Sequence, residues 1–180
     1  MKRRVLAVMM IALLLLCCGC RKATLEGYKL FRSTPLGLSV EYPDFWEETH
    51  SNREGIVAFV TPGEGYSDEY RDNLSIQRFT LDMEGENAYN EYVKGYVAHL
   101  ESTLQNYNKV TEEDTTLAGQ PAYKIVYESS SDDGTNEMRF MQLFLERGER
   151  VYVVTYVADF SSYEYFLADV EKMLSTFTFI

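Results

Sequence analysis

Three thiols fall within four positions, Cys17, Cys18 and Cys20, and no other cysteine occurs in the chain. A thiolate can serve as nucleophile, metal ligand or redox partner. The body of the protein therefore has no disulfide framework to rely on. The two histidines, His50 and His99, stand far apart, with neither His-x-x-x-His nor His-x-His spacing, so no zinc site is expected. No Gly-x-Ser-x-Gly elbow occurs to present a serine nucleophile. Asp132-Asp133-Gly134-Thr135-Asn136-Glu137 gathers oxygen ligands but lacks the alternating acids of an EF-hand loop. It reads as a hairpin loop, with weak calcium binding as the alternative. Glu112-Glu113-Asp114 reads as a solvated strand face. No catalytic residue, metal ligand or cofactor is expected, and with them no enzymatic activity.

The surroundings of the cysteines give them a different use. Met1-Lys2-Arg3-Arg4 is a basic start, and Val5 to Leu16 is an unbroken apolar run of twelve. That run is short for a membrane span of about 20 residues and suits the apolar region of a secretory signal. Its end, Leu16-Cys17-Cys18-Gly19-Cys20, resembles the lipobox of prokaryotic lipoproteins, which places a small residue before the acylated cysteine. Gly19 before Cys20 fits. Cys17 stands where the box usually has leucine. Cys18 would follow Cys17, and Cys17 would follow the bulky Leu16, so Cys20 is the expected lipidation site. An uncleaved N-terminal helix and a plain secretory signal are the alternatives. Each buried methylene contributes about 0.8 kcal/mol, and two or three acyl chains hold where one is marginal. Residues 1–19 then form the signal peptide and residues 20–27 the lipidated cysteine and its tether. The expected location is the extracytoplasmic face of a cell membrane.

The whole chain of 180 residues carries a net charge of −11. Loss of residues 1–19 removes three bases and no acid, leaving the remainder more acidic. An acidic surface repels phosphate, so nucleic acid is excluded as a generic partner. Residues 28–180 suffice for one domain with a real core.

The elements that must position any site follow from periodicity. Tyr28–Arg32 and Leu38–Tyr42 read as strands about a Pro-Gly turn, the second alternating Leu38, Val40 and Tyr42 with Ser39 and Glu41 as a half-buried strand does. Asp44-Phe45-Trp46 reads as a turn or short helical piece. Ile56–Thr61 and Asn73–Leu81 are further strands. The apolar phase of the latter slips between Ile76 and Phe79, which predicts a bulge near Gln77-Arg78. Residues 87–105 carry one apolar stripe through Tyr89, Val93, Tyr96, Val97 and Leu100 and read as a helix capped by Asn87. Gly95 in mid-helix costs about 1 kcal/mol relative to alanine, which implies a close packing neighbour. Strands at Val110–Leu117, Ala122–Glu128, Asn136–Glu146 and Val151–Ala158 form a meander. The last is apolar on both faces, as a central strand is. A final helix begins after Ser162, which can cap it, and Phe179-Ile180 close against the sheet.

Between the third and fourth strands, Pro62 to Asp72 is an irregular loop holding Tyr66 and Tyr70 among acids. Tyrosines on long loops anchor partners, and these two are the expected contact residues. The alternative is a surface loop packed on its own domain. Asn73-Leu74-Ser75 matches a glycosylation sequon, but it opens a strand.

Two segments carry a family resemblance. Gly37-Leu38-Ser39-Val40-Glu41-Tyr42-Pro43-Asp44-Phe45-Trp46 resembles the opening of PsbP-like domains, and Thr116-Leu117-Ala118-Gly119-Gln120-Pro121-Ala122-Tyr123 resembles their Gly-containing turn and strand. Val151-Tyr152-Val153-Val154-Thr155-Tyr156 and the helix after it complete the likeness over residues 28–180. The resemblance implies an α+β fold, an antiparallel sheet of six or more strands flanked by helices in an α/β/α sandwich. Photosynthetic members assist the oxygen-evolving side of photosystem II, and others are prokaryotic lipoproteins or nuclear import factors that bind Ran. Such spread ties no single function to the fold. The expectation is a non-enzymatic accessory or interaction domain whose partner is an envelope or membrane protein. A small-ligand-binding lipoprotein using a cleft between sheet and helix is the alternative.

Overall fold

The structure, a computed structural model, describes residues 24–50, 55–63, 71–130 and 137–180. In chain order the elements are β1 (Tyr28–Ser33), β2 (Leu38–Pro43), β3 (Glu47–His50), β4 (Ile56–Val60), β5 (Asn73–Thr80), α1 (Ala88–Thr103), β6 (Asn108–Leu117), β7 (Gln120–Ser130), β8 (Glu137–Arg147), β9 (Arg150–Asp159), α2 (Tyr163–Thr176) and β10 (Thr178–Phe179). Seven strands form an antiparallel sheet in the order β3-β4-β5-β9-β8-β7-β6, and β1-β2-β10 form a separate small sheet.

The large sheet is buried on both faces, each by its own core. On one face α1 sets Val93 and Leu100 against Ile125, Phe144, Val151 and Val153. On the other, Phe59, Leu74, Ile76, Val154 and Tyr156 meet the small sheet, Trp46 and the α2 residues Phe166, Val170 and Met173. Strand β9 feeds both cores, Val151 and Val153 to one and Tyr152, Val154 and Tyr156 to the other. Its continuous apolar run has that cause. The α+β class and the antiparallel sheet agree with the resemblance.

Four local expectations give way. Strand β5 has no bulge: its register to β9 runs unbroken from Asn73↔Val157 to Thr80↔Arg150. Leu74 and Ile76 point into one core, while Phe79 packs on Tyr92 of α1 in the other, with ring centroids 5.3 Å apart. The apolar phase slips because the covered face changes, not because the backbone does. A register shift lies instead between Lys109 and Thr111 in the β6–β7 pair, around Val110. Strand β2 is buried on both faces. It is the central strand of its sheet. Ser39 Oγ lies 2.8 Å from Thr178 Oγ1, Thr176 Oγ1 accepts from Glu41 N at 2.9 Å, and Glu41 Oε2 accepts from Leu25 N at 2.7 Å. Gly95 has no close neighbour, since a Cβ there would meet nothing within 4 Å. Asn87 and Ser162 occupy the cap positions of α1 and α2, but neither side chain bonds a helix N–H. The Ser162 hydroxyl donates to the Asp159 carbonyl at 3.2 Å.

The residues of the resemblance prove to be joints. Gly37 has φ 71°, and a Cβ there would lie 3.3 Å from the Tyr152 hydroxyl. Trp46 is 2% exposed and meets Phe166 edge-on at 5.7 Å. Ala118 and Gly119 both have positive φ, 51° and 72°, between the closing pair Leu117↔Gln120. That is the type I′ turn of a two-residue hairpin.

Candidate functional site

Strand β6 ends the large sheet, and α1 lies over the face inboard of it. Between them the protein leaves an open groove with a cavity volume of about 750 Å³. Its helix wall is Tyr89, Val93, Val97 and Ala98, and its floor is Pro121, Ala122 and Tyr123 of β7. Lys94, Glu101, Glu112 and Asp114 stand around the rim.

The rim is organised around one carboxylate. Tyr123 donates its hydroxyl to Glu112 Oε2 at 2.8 Å, and Lys109 Nζ donates to the same oxygen at 3.1 Å. Lys109 also comes within 4.0 Å of Glu101. The Tyr123 hydrogen bond, then that of Lys109, holds the Glu112 carboxyl below its ordinary range. Burial first, then Glu112, raises the Tyr123 phenol. At neutral pH Tyr123 is thus a neutral donor and Glu112 an anion. Deeper in, the Tyr89 hydroxyl donates to the Phe144 carbonyl at 2.7 Å, and burial pushes its pKa up to about 12. The groove offers apolar walls, fixed hydrogen-bond acceptors and exposed anions, which is the equipment of a binding surface.

A shallower recess of about 430 Å³ lies on the opposite face of the β6–β7 hairpin, lined by Leu117, Met141, Leu143, Leu174 and Phe177, with Lys124 and Glu171. Lys124 pairs with Glu113 at 3.1 Å. The hairpin thus stands between two recesses, one under each helix.

Cys20, Tyr66 and Tyr70 lie outside the described residues, as do residues 131–136 of the acidic hairpin loop. Both ends of the tyrosine loop are described, and they are pinned together. Thr61 N donates to the Asp72 carbonyl at 2.9 Å. Arg71 donates Nε to the Thr61 carbonyl at 2.7 Å and Nη1 to Glu47 at 2.7 Å. The buried Asp72 accepts from Asp159 N at 3.1 Å. His50 lies exposed on β3, bonded to Glu48 at 2.7 Å, and His99 is exposed on α1. Glu112, Glu113 and Asp114 are solvated on β6, as expected, with Glu113 on the face opposite the other two. Asn73 of the sequon sits within β5, its side chain donating to the Arg71 carbonyl at 3.2 Å. Among the described residues no group of three His, Cys, Asp or Glu could hold a metal ion, and no helix is long and apolar enough to cross a membrane.

A cleft between sheet and helix was the alternative expectation from the family resemblance, but the residues that line this groove were not legible in the sequence. Tyr89, Val93 and Val97 read as a core stripe, and half of that stripe meets a floor too short to cover it. The available signal was β6 itself, with nine polar or exposed residues in succession before Leu117, the pattern of an edge strand rather than a half-buried one.

No curated protein matches the chain. Solved structures match its fold. LpqN of Mycobacterium tuberculosis, involved in cell envelope biogenesis, superposes with a TM-score of 0.61 at 13% identity, covering 84% of this chain and 89% of its own. The cyanobacterial PsbP (CyanoP) of Synechocystis gives 0.59 at 12% identity, with 92% and 99% covered. The Saccharomyces cerevisiae Ran-binding protein Mog1p gives 0.55 at 8% identity, with 84% and 95% covered. At these identities the likeness is one of fold. Sequence alone carries the kinship: the pattern of PsbP-like proteins matches residues 23–179, nearly the whole described domain, and the chain belongs to the PsbP-like protein family.

Proposed function

We propose that the protein is a membrane-anchored extracytoplasmic lipoprotein whose PsbP-like domain is a non-enzymatic accessory or protein-interaction module. Cys20 bears the lipid, residues 1–19 are its signal peptide, and residues 20–27 tether the domain. The observation that carries this reading is Gly19-Cys20 at the end of a basic-then-apolar leader, only eight positions before strand β1 opens the domain. At about 3.5 Å per residue the seven residues after Cys20 span at most about 25 Å, so the domain works within reach of the membrane surface and its proteins. Envelope involvement of LpqN and the Ran binding of Mog1p support a protein partner, an envelope or membrane protein, for this fold. Crosslinking in native membranes followed by capture of the chain tests this: a discrete membrane or envelope protein is expected. Capture of nothing but lipid would sink the interaction reading.

The groove under α1 favours a second reading, a small-ligand-binding lipoprotein. Its volume of about 750 Å³ lies within the range of ligand pockets. Native mass spectrometry of the chain extracted from its own membrane distinguishes the two: a bound small molecule that raises the melting temperature supports this one.

A further inference from the structure

We propose that the free edge of β6 is a docking site for an extended, basic segment of a partner protein, which adds as an eighth strand to the large sheet. The inference rests on the interaction reading but not on the lipid anchor.

The backbone alternation of the β6–β7 hairpin sets which groups are available. Its two-residue turn makes Leu117↔Gln120 the closing, hydrogen-bonded pair. Counting back along the antiparallel ladder, Thr115 and Glu113 bond to β7, while Thr116, Asp114 and Glu112 turn their N–H and C=O groups outward. Pro121 opposes Thr116, a pair in which β6 needs no amide from it, as this alternation requires. The irregularity at Val110 ends the regular stretch, leaving Thr111–Thr116 as an unpaired edge of ordinary strand length. Among the described residues no strand pairs with it.

Charge selects the occupant. Glu112, Glu113 and Asp114 are consecutive on this edge and exposed. Two copies of the chain pairing antiparallel about Glu113 would set Glu112 against Asp114 twice, and like charges directly opposite are destabilising. The net charge of −11 adds to that repulsion. A strand with a base at every second position instead meets Glu112 and Asp114 on the α1 face. Its lysine or arginine stems then lie along Val97, Ala98 and Tyr123 while the charged ends reach the rim. The apolar wall and acidic rim are thereby used together. Main-chain hydrogen bonds give such an addition its affinity and side chains its specificity.

The test uses the full chain in detergent micelles and a synthetic peptide of alternating lysine and threonine, about eight residues long. At low salt the peptide is expected to bind and to slow amide exchange in residues 111–116. Affinity should fall at least about tenfold in high salt. The same peptide N-methylated at every backbone nitrogen keeps its charges and should not bind. Glu112→Lys with Asp114→Lys, both on exposed positions, should abolish binding of the lysine peptide and admit one of alternating glutamate and threonine. Equal binding of the N-methylated peptide would show charge or groove binding without a strand and overturn the proposal. So would protection elsewhere, equal binding of the glutamate peptide to the unaltered chain, or concentration-dependent self-association through this edge. If crosslinking in membranes retrieves the same partner from the double variant carrying Glu112→Lys and Asp114→Lys, the edge proposal fails while the interaction reading stands.

Discussion

The hydroxyl of Tyr152, near the start of β9, donates to the carbonyl of Leu36 at 2.9 Å, across 116 residues of chain, and both residues are buried. The bond ties the large sheet to the turn that joins β1 and β2 of the small one. Gly37, next to its acceptor, leaves the space through which the phenol arrives. Tyr152→Phe strands a buried acceptor and is expected to cost about 1–2 kcal/mol, read as a lower denaturant midpoint with unchanged slope. Gly37→Ala forces a side chain into positive φ against that hydroxyl and should cost at least about 1 kcal/mol. In the Tyr152→Phe background the alanine should cost less, and strict additivity of the two would show that the hydroxyl is not the obstacle.

Gly95 gives a prediction of opposite sign. It sits exposed in the middle of α1 with open space around it, so nothing offsets its conformational freedom. Gly95→Ala should stabilise the domain by about 0.5–1 kcal/mol. A loss of stability would reveal a neighbour of this position.

Alkaline pH should unfold the domain through its phenols. Burial pushes Tyr89 and Tyr92 up to about 12. Tyr28 rises equally, through burial and then its hydrogen bond to Asp169, 2.8 Å away. A folded pKa above the unfolded value of 10.0 stabilises the folded state fully below about pH 10, and that contribution is lost as pH rises toward about 12. Phenolate absorbance in the ultraviolet should therefore lag behind that of the unfolded chain, and the denaturation midpoint should fall as pH rises through this window. Titration of all tyrosines near pH 10 in the folded protein would refute it.

Intact mass of the membrane-extracted protein should show residues 1–19 removed and acyl chains added at Cys20. Cys20→Ser should leave an unprocessed precursor. Recovery of the same cleaved, membrane-bound species from that variant would exclude Cys20 as the anchor.

We propose the loop holding Tyr66 and Tyr70 as a second contact surface, distinct from the β6 edge. Replacing Tyr66 and Tyr70 together with alanine is expected to weaken capture of the crosslinked partner with little change in melting temperature, because tyrosine anchors a contact at low rotamer cost. A clear fall in melting temperature with unaltered capture would assign both rings to packing instead.

What the sequence disclosed, and what it withheld, divide along the range of the interactions. Alternation and the helical stripe located the meander and both helices, because periodicity reports which face is covered. The same rule misled at β5, where Ile76 and Phe79 are buried by different layers and a change of cover imitates a change of backbone phase. Strand β3 escaped notice because Glu47-Glu48-Thr49-His50 is exposed throughout and has no apolar period. It is held by pairing with β4 and by Arg71, 24 positions away from Glu47. The sheet–helix cleft came only from the family resemblance, and its lining was invisible for a related reason: the groove lies where α1 and β6 meet, and no local pattern encodes which neighbour a residue faces.

Strand β10 supplies two residues, Thr178 and Phe179, to the open side of β2, pairing with Ser39 and Leu38. A ribosome must therefore deliver position 179 before the hairpin begun at Tyr28 acquires its second neighbour. Such distant closure slows folding, and until then one edge of β2 stays unpaired. On the proposed route to the membrane, through a translocation channel as an unfolded chain, late closure is an advantage: the small sheet sets only after the thread has passed.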